Sequence, residues 1–240
     1  ISGTVAPHRG YILLHTHRPP PEYPAKFKSP LFRELTRRTM KWGALVNFSW
    51  SPDQAVHPDY SGMGEHFTDG LEMYRATAFS ILGHRLDVPE VSMANIDAVE
   101  QNLRLHVEAV ESKYALISRD TQLHLYVCTH AQRDCRCGDT GGEVAHALRQ
   151  EVQKREMSAK QVLVGEVGHV GQHKFAANLL VFPYGDWLGT LQEFDVSTVL
   201  DEILEKHQSH TTVSLNAPPI GGIHWRGRMG LDKEMQKAMM

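Results

Sequence analysis

No stretch of this 240-residue chain is hydrophobic over enough residues to cross a bilayer, and the longest apolar run, around residues 179–183, has the length of a strand. The chain also lacks an excess of basic residues, because 25 Lys and Arg stand against 28 Asp and Glu, giving a formal net charge of -3. Binding to a phosphate backbone requires a concentrated basic face. We therefore expect neither a membrane span nor a nucleic-acid partner.

Cysteine is scarce as well. The chain contains three cysteines, Cys128, Cys135 and Cys137, and all of them fall within one ten-residue stretch. This spacing does not resemble the disulfide framework of an extracellular protein. It favours a reducing compartment and a role in metal binding or redox chemistry.

What the chain does contain is an alternation of strand-like and helix-like segments. In the first half we predict strands at 11–15 and 44–50, a helix at 29–42 with Ser29 as N-cap, a long polar loop reaching about residue 71, one or two strands at 77–88, and a helix at 95–109. In the second half we predict strands at 123–127, 161–164 and 178–182, an edge strand at 187–191, and helices at 142–154 and 196–206. The second half thus has the order of a thioredoxin-like domain.

The first half follows a similar order, which suggests a duplication. Leu14-His15-Thr16-His17 in the first half matches Val127-Cys128-Thr129-His130 in the second. We predict an α/β (α+β) protein of two thioredoxin-like domains, residues 1–112 and 113–240. The first would be degenerate, because it has no cysteine and His15 occupies the place of Cys128. The tail from Asn216 is expected to be a loop that lies across one of the domains.

Four side chains are candidates for a metal centre in the second half. Cys128 and Cys137 are separated by eight residues in a segment that leaves a strand, and His169 and His173 lie in a glycine-containing loop before the next strand. In a thioredoxin-like topology both segments can lie at neighbouring ends of adjacent strands. Two thiolates and two imidazoles would then converge on one centre.

This ligand set leaves more than one chemistry open. Two cysteines and two histidines suit tetrahedral zinc as well as iron, so a structural zinc-binding interaction domain is an alternative. The pair Cys135 and Cys137 beside Arg133 also permits a thiol-disulfide oxidoreductase, although the Cys-x-x-Cys spacing is missing. A zinc protease is excluded, because Val170 follows His169 where that motif requires glutamate.

Three phrases of the sequence resemble the sucrase/ferredoxin-like family of thioredoxin-like ferredoxins. They are Cys-Thr-His-Ala-Gln-Arg-Asp-Cys-Arg-Cys-Gly at 128–138, Gly-His-Val-Gly-Gln-His-Lys-Phe-Ala-Ala-Asn at 168–178, and Gly-Gly-Ile-His-Trp-Arg-Gly-Arg at 221–228. The resemblance covers nearly the whole chain and implies that the C-terminal domain carries a [2Fe-2S] cluster. It implies Cys128 and Cys137 as ligands of one iron, and His169 and His173 as ligands of the other, a non-Rieske arrangement.

The resemblance also implies a role in electron transfer or mitochondrial redox quality control, rather than catalysis on a substrate of its own. We expect a redox partner protein, which the sequence does not identify. Within the family the chain is most similar to a mitochondrial branch, so a mitochondrial location is expected, with the cytoplasm as the alternative. Since the chain begins at Ile1, we expect any targeting segment to be missing from it.

Overall fold

The computed structural model describes residues 1–59, 72–109, 122–209 and 213–240, which contain nine strands and five α-helices. The strands are β1 Gly10–His15, β2 Ala44–Trp50, β3 Tyr74–Ser80, β4 Arg85–Val91, β5 Leu123–Cys128, β6 Val162–Val167, β7 Leu179–Phe182, β8 Asp186–Leu188 and β9 Trp225–Arg228. The helices are α1 Pro30–Thr39, α2 Ile96–Val107, α3 Cys135–Lys154, α4 Val196–Ser209 and α5 Lys233–Ala238. None of the helices in these ranges has the length and hydropathy that a membrane crossing requires.

The nine strands form one mixed sheet in the order β4-β3-β1-β2-β6-β5-β7-β8-β9. In each half the first strand pairs in parallel with the second and antiparallel with the third, as β1 does with β2 and β3, and β5 with β6 and β7. The predicted α/β class is therefore confirmed. The halves also repeat one thioredoxin-like strand order, in which His15 and Cys128 each end the first strand, as the predicted duplication requires.

The two halves meet where β2 pairs antiparallel with β6, through Ser49 opposite Val167 and Trp50 opposite Glu166. Because each first strand is parallel to its second strand, β1 and β5 run in opposite directions. The end of β1 lies near the start of β5, since the charge of His124 acts on His15 and both residues line one cavity. At the other end, Tyr11 near the start of β1 lies close enough to Cys128, the last residue of β5, for the charge of Cys128 to act on it. Burial and that charge both raise the pKa of Tyr11.

The core has three parts. Helices α1 and α2 cover one face of the first half through residues such as Leu31 and Leu103. Helices α3 and α4 cover the second half in the same way through a separate cluster. A third cluster joins both halves on the opposite face, where the rings of Phe79 and Phe182 stack with centroids 4.2 Å apart. The halves therefore share part of their core.

Two predictions fall outside the described residues. The boundary between the predicted domains 1–112 and 113–240 lies between ranges that the structure describes, as does the last part of the polar loop predicted after Trp50. The division into two domains therefore stays a prediction.

The start of helix α1 is specified by the residues at its N-terminus. The Ser29 hydroxyl accepts a hydrogen bond of 2.9 Å from the Phe32 amide, and Pro30 occupies the first helical position. Leu31 and Leu35 lie on the buried face, whereas the basic residues of this segment lie on the other face. The predicted amphipathic helix is confirmed.

Helix α3 begins earlier than the sequence suggested. We predicted a cysteine-rich loop followed by a helix from residue 142, but the helix starts at Cys135. Its N-cap is Asp134, whose carboxylate accepts a hydrogen bond of 3.1 Å from the Arg136 amide. The glycines between Cys137 and Glu143 concealed this first part of the helix.

The tail is not a loop, which corrects two predictions. It contains β9 and α5, and β9 pairs with β8, so the strand predicted at 187–191 is not at the edge of the sheet. The physical reason is a buried carboxylate, Asp186, which accepts hydrogen bonds from Trp225 and Arg228 of β9. A strand that buries arginine does not show the hydrophobic alternation by which strands are recognised.

Candidate metal centre

The two predicted cysteine ligands come from adjacent elements. Cys128 is the last residue of β5, and Cys137 lies in the first turn of α3; both side chains are buried. Their sulfur atoms and a ring nitrogen of His169 all lie within 4.8 Å of one another. The Cys137 Sγ atom is 3.9 Å from His169 Nδ1. Three of the four predicted ligands therefore meet at the end of β5.

Glycine allows this close approach. A Cβ atom at Gly141 would collide with the carbonyl oxygen of Cys128, and one at Gly138 would come within 2.6 Å of Ala131 Cβ. Both positions lie on the face of α3 that packs against the segment leaving β5. Without these two glycines, the first turn of α3 would be held away from β5, and Cys137 with it.

The histidine loop follows β6. It turns at Gly171 and Gln172, which both have left-handed backbone angles, φ 84° and 53°. The ring centroids of His169 and His173 are 5.7 Å apart. His173 has a 46% exposed side chain, and its Nδ1 atom lies 3.5 Å from the carboxylate of Asp134. The fourth predicted ligand thus borders the group without joining it, and the ligand assignment stays a prediction.

The two thiols influence each other strongly. The hydrogen bond with Cys137 lowers the pKa of Cys128, in opposition to its burial. The same contact, together with burial, raises the pKa of Cys137. Cys128 is therefore the thiol that loses its proton first. A buried thiolate beside a second thiol is a donor pair prepared for a metal ion.

Arg226 supplies positive charge to this pair, a role that we did not predict although the residue stands in the tail motif. Its buried guanidinium donates hydrogen bonds to Asn178 Oδ1 at 2.5 Å and to Thr4 Oγ1 at 3.1 Å. Burial lowers its pKa to about 10, while the charge of Cys128 opposes that shift. No sequence signal connects residue 226 to residue 128, because β9, β8 and β7 must first pair.

His130 was also missed, and it holds the histidine loop in place. Its Nδ1 atom accepts a hydrogen bond of 3.3 Å from the His169 amide, and its Nε2 atom lies 3.1 Å from the Pro24 carbonyl oxygen. These contacts require the tautomer with the proton on Nε2. Burial lowers the pKa of His130, so the ring is neutral and fixes the backbone of His169 rather than offering a charge.

Cys135 differs from the other two cysteines. It is exposed at the start of α3 and does not belong to the group of three donor atoms. Cys135 therefore lies outside the candidate metal centre. The free thiol on the surface keeps the thiol oxidoreductase alternative open.

The chain is similar to known proteins over most of its length. The family model described as sucrase/ferredoxin-like matches residues 1–214. Altered inheritance of mitochondria protein 32 from Meyerozyma guilliermondii is 30% identical over 49% of this chain and 42% of its own length. The protein of that name from Candida glabrata is 32% identical over 34% of this chain and 28% of its own. The chain thus matches less than half the length of these relatives.

Solved structures give a weaker likeness. A thioredoxin-like [2Fe-2S] ferredoxin from Aquifex aeolicus is 25% identical, with a TM-score of 0.29, over 36% of this chain and 84% of that one. A TM-score this low does not establish a common fold, so the thioredoxin-like topology rests on the strand order. The family match, in contrast, covers residues 1–214 of 240 and contains both the cysteine and the histidine segments. The chain belongs to the sucrase/ferredoxin-like family.

Proposed function

We propose that this chain binds a [2Fe-2S] cluster through Cys128, Cys137, His169 and His173, and acts in electron transfer or redox quality control. The observation that carries the proposal is the group at the end of β5, where two thiol sulfurs and an imidazole nitrogen lie within 4.8 Å of one another. The sequence resemblance adds His173 as the fourth ligand. Because the chain spans less than half of its curated relatives, the activity of those proteins comes to it only as a proposal.

The chemistry of the donors fits such a cluster. Thiolate sulfur and imidazole nitrogen are ligands that iron–sulfur clusters accept. Cys128 has a lowered pKa, and the buried cation of Arg226 offsets the negative charge of the thiolates. His173 is 46% exposed and must turn its ring toward His169 to complete the set. A surface side chain can make that turn at little cost.

The buried and the exposed residues of the centre would have different roles. A bound cluster supplies one-electron transfer. Cys128 and Cys137 are buried and would hold it on the side of the core, where water is excluded. The exposed ring of His173 marks the side that a redox partner can approach. Neutral imidazoles in place of two thiolates favour the more negative, reduced state and raise the midpoint potential.

One observation favours zinc as the second candidate. Ligands of a tetrahedral zinc ion lie about 3.6 Å apart, given bond lengths of about 2.3 Å to sulfur and about 2.1 Å to nitrogen. The distance of 3.9 Å between Cys137 Sγ and His169 Nδ1 is close to this value. A structural zinc ion with His173 as its fourth ligand is the alternative that the experiment must separate.

Metal analysis of anaerobically purified protein tests the proposal. We expect about two irons per chain and visible absorption that bleaches on addition of dithionite. Colourless protein with about one zinc per chain would replace the cluster with a structural metal site. The analysis should use protein that has not been reconstituted with either metal.

Four variants localise the metal. Cys137→Ser and His169→Ala should lose it, because each removes a donor of the central group. Cys135→Ser and His146→Ala are the matched controls, since both residues are exposed on α3 and lie outside the group. Equal metal content in all four variants would refute the ligand assignment. Disulfide reductase activity that disappears in Cys135→Ser and persists in His169→Ala would support the thiol oxidoreductase alternative.

We also propose a mitochondrial location for the protein. The support is the name of its curated relatives, altered inheritance of mitochondria protein 32. Fractionation of the native organism with an antibody to this chain should recover the protein with a mitochondrial matrix or intermembrane-space marker. Recovery with a cytosolic marker alone would favour the alternative location.

A further inference from the structure

A cavity of about 350 Å³ lies at the end of β1 and is lined by residues of both halves. Its place corresponds to that of the metal centre, because His15 ends β1 as Cys128 ends β5. Since β1 and β5 run in opposite directions, the cavity lies beside the start of β5 and is lined there by Gln122 and His124. The duplication has thus left a second concave site, made of other residues, at the far end of β5.

The His15 side chain lines this cavity, where hydrogen bonds hold it in place and its ring is uncharged. Its Nδ1 atom is 3.0 Å from the Ser49 hydroxyl, and its Nε2 atom is 2.9 Å from the Thr77 hydroxyl and 3.1 Å from Gln54 Nε2. Burial, followed by the charges of His124 and Arg75, lowers the pKa of His15 to about 3. The ring is therefore uncharged near neutral pH and supplies hydrogen-bonding geometry rather than charge.

Two arginines supply the positive charge. Arg85 already has partners, since its Nε atom lies 3.2 Å from Asp87 and its Nη1 donates to Gln122 at 2.7 Å. Arg75 differs from it, because its Nε atom is buried and has no hydrogen-bond partner among the described residues. A buried guanidinium N–H without an acceptor is unfavourable unless something else accepts the bond. The Arg75 side chain lines the cavity, so an acceptor bound there would lie beside it.

The acidic residues of the lining do not fill that role. Asp87 is 61% exposed, and it accepts hydrogen bonds from Thr77 and pairs with Arg85. Asp53 is exposed. Beside Arg75 the cavity presents the imidazole rings of His15 and His124, the latter accepting a hydrogen bond from Arg85. Such a surface is complementary to one or two oxygens of an anion.

We propose that this cavity binds a small anion, a carboxylate or a phosphate, whose oxygens accept hydrogen bonds from Arg75. The planar guanidinium of Arg75 can engage two oxygens of such a group at once. A cavity of about 350 Å³ has room for a small organic acid or a phosphorylated fragment, and lies at the low end of the range for ligand sites. None of the four proposed metal ligands lines it, so the site does not depend on the metal.

Isothermal titration calorimetry on the full chain, with its metal content as purified, tests the proposal with inorganic phosphate and with succinate as probes. We expect one saturable site per chain for at least one probe. Saturation by phosphate alone identifies a phosphoryl ligand, and saturation by succinate alone a carboxylate. Arg75→Gln should weaken binding tenfold or more. The matched control Arg33→Gln removes an exposed arginine of α1 that does not line the cavity, and it should bind as the wild type does.

Binding of neither probe, or equal binding by Arg75→Gln and the wild type, would overturn the proposal. A second measurement on the wild-type protein tests the proposal even where the Arg75→Gln variant does not fold. Phenylglyoxal modification of the wild-type protein, mapped by mass spectrometry, should show protection of Arg75 by the bound probe and no protection of Arg33. Unchanged modification of Arg75 at saturating probe would equally count against the site.

Discussion

At the scale of single residues, the centre at the end of β5 depends on a charge that comes from far along the chain. Arg226 is buried, held by Asn178 and Thr4, and close enough to Cys128 for their charges to interact. Its position is therefore fixed by hydrogen bonds rather than by the metal ligands. This arrangement predicts that Arg226 tunes the centre without binding the metal.

Arg226→Gln should lower the midpoint potential of the proposed cluster. Glutamine can keep a hydrogen bond to Asn178 but removes the positive charge that favours the more negative, reduced state. At an effective dielectric constant of about 20, loss of a nearby unit charge lowers the potential by an amount on the order of tens of millivolts. Redox titration followed by visible absorption measures it.

Arg226→Lys serves as the control, because it keeps the charge and loses the planar guanidinium. It should retain most of the wild-type potential. In metal-free protein, Arg226→Gln should also raise the pKa of the Cys128 thiol, which alkylation rates as a function of pH can measure. An unchanged potential together with unchanged alkylation would show that Arg226 is only structural.

At the scale of elements, the contact between α3 and β5 can be tested at two adjacent glycines of α3 that have different surroundings. A Cβ atom at Gly141 would collide with the Cys128 carbonyl oxygen, whereas at Gly142 the added carbon has no neighbour within 4 Å from the described residues outside the adjoining helix backbone. Both glycines belong to the same helix, and alanine favours a helix over glycine by about 1 kcal/mol at either position. Substituting each glycine by alanine therefore separates the effect of helix propensity from the effect of packing between α3 and β5.

Gly141→Ala should lower the free energy of unfolding by about 1–3 kcal/mol and reduce metal content, because α3 must move away from β5 and carry Cys137 with it. Gly142→Ala should instead raise the free energy of unfolding by about 0.5–1 kcal/mol and leave metal content unchanged. Urea unfolding followed by circular dichroism, with metal analysis of the same samples, compares them. Equal stability of the two variants would contradict the proposed contact.

The elements also show what could be predicted from the sequence. Helix α1 was found because Ser29 and Pro30 are local signals that specify a helix start. The start of α3 was missed although Asp134 is a capping residue, because three cysteine and glycine residues follow it within four positions. Strand β9 was missed because its burial depends on Asp186, some forty residues earlier in the chain. Long-range partners of this kind leave no local pattern.

At the scale of the whole molecule, one sheet carries two copies of the same topology with different chemistry at equivalent places. The cysteine and histidine segments could be recognised as a candidate centre because four metal-ligating side chains lie in two short segments of the sequence. The cavity beside His15 could not, because its residues come from β1, β3, β4, the start of β5, β6 and the segment after β2, which are far apart in the sequence. The place of this cavity depends on the antiparallel pairing of β2 with β6, which consists of two residue pairs.

The opposite directions of β1 and β5 have a kinetic consequence. An occupant of the His15 cavity and a protein docked at His173 would approach the molecule from different ends, so neither would have to leave before the other arrives. Their binding should follow a random order, and a saturating concentration of one should leave the apparent affinity for the other unchanged. The duplication would then have produced a protein able to hold a ternary complex.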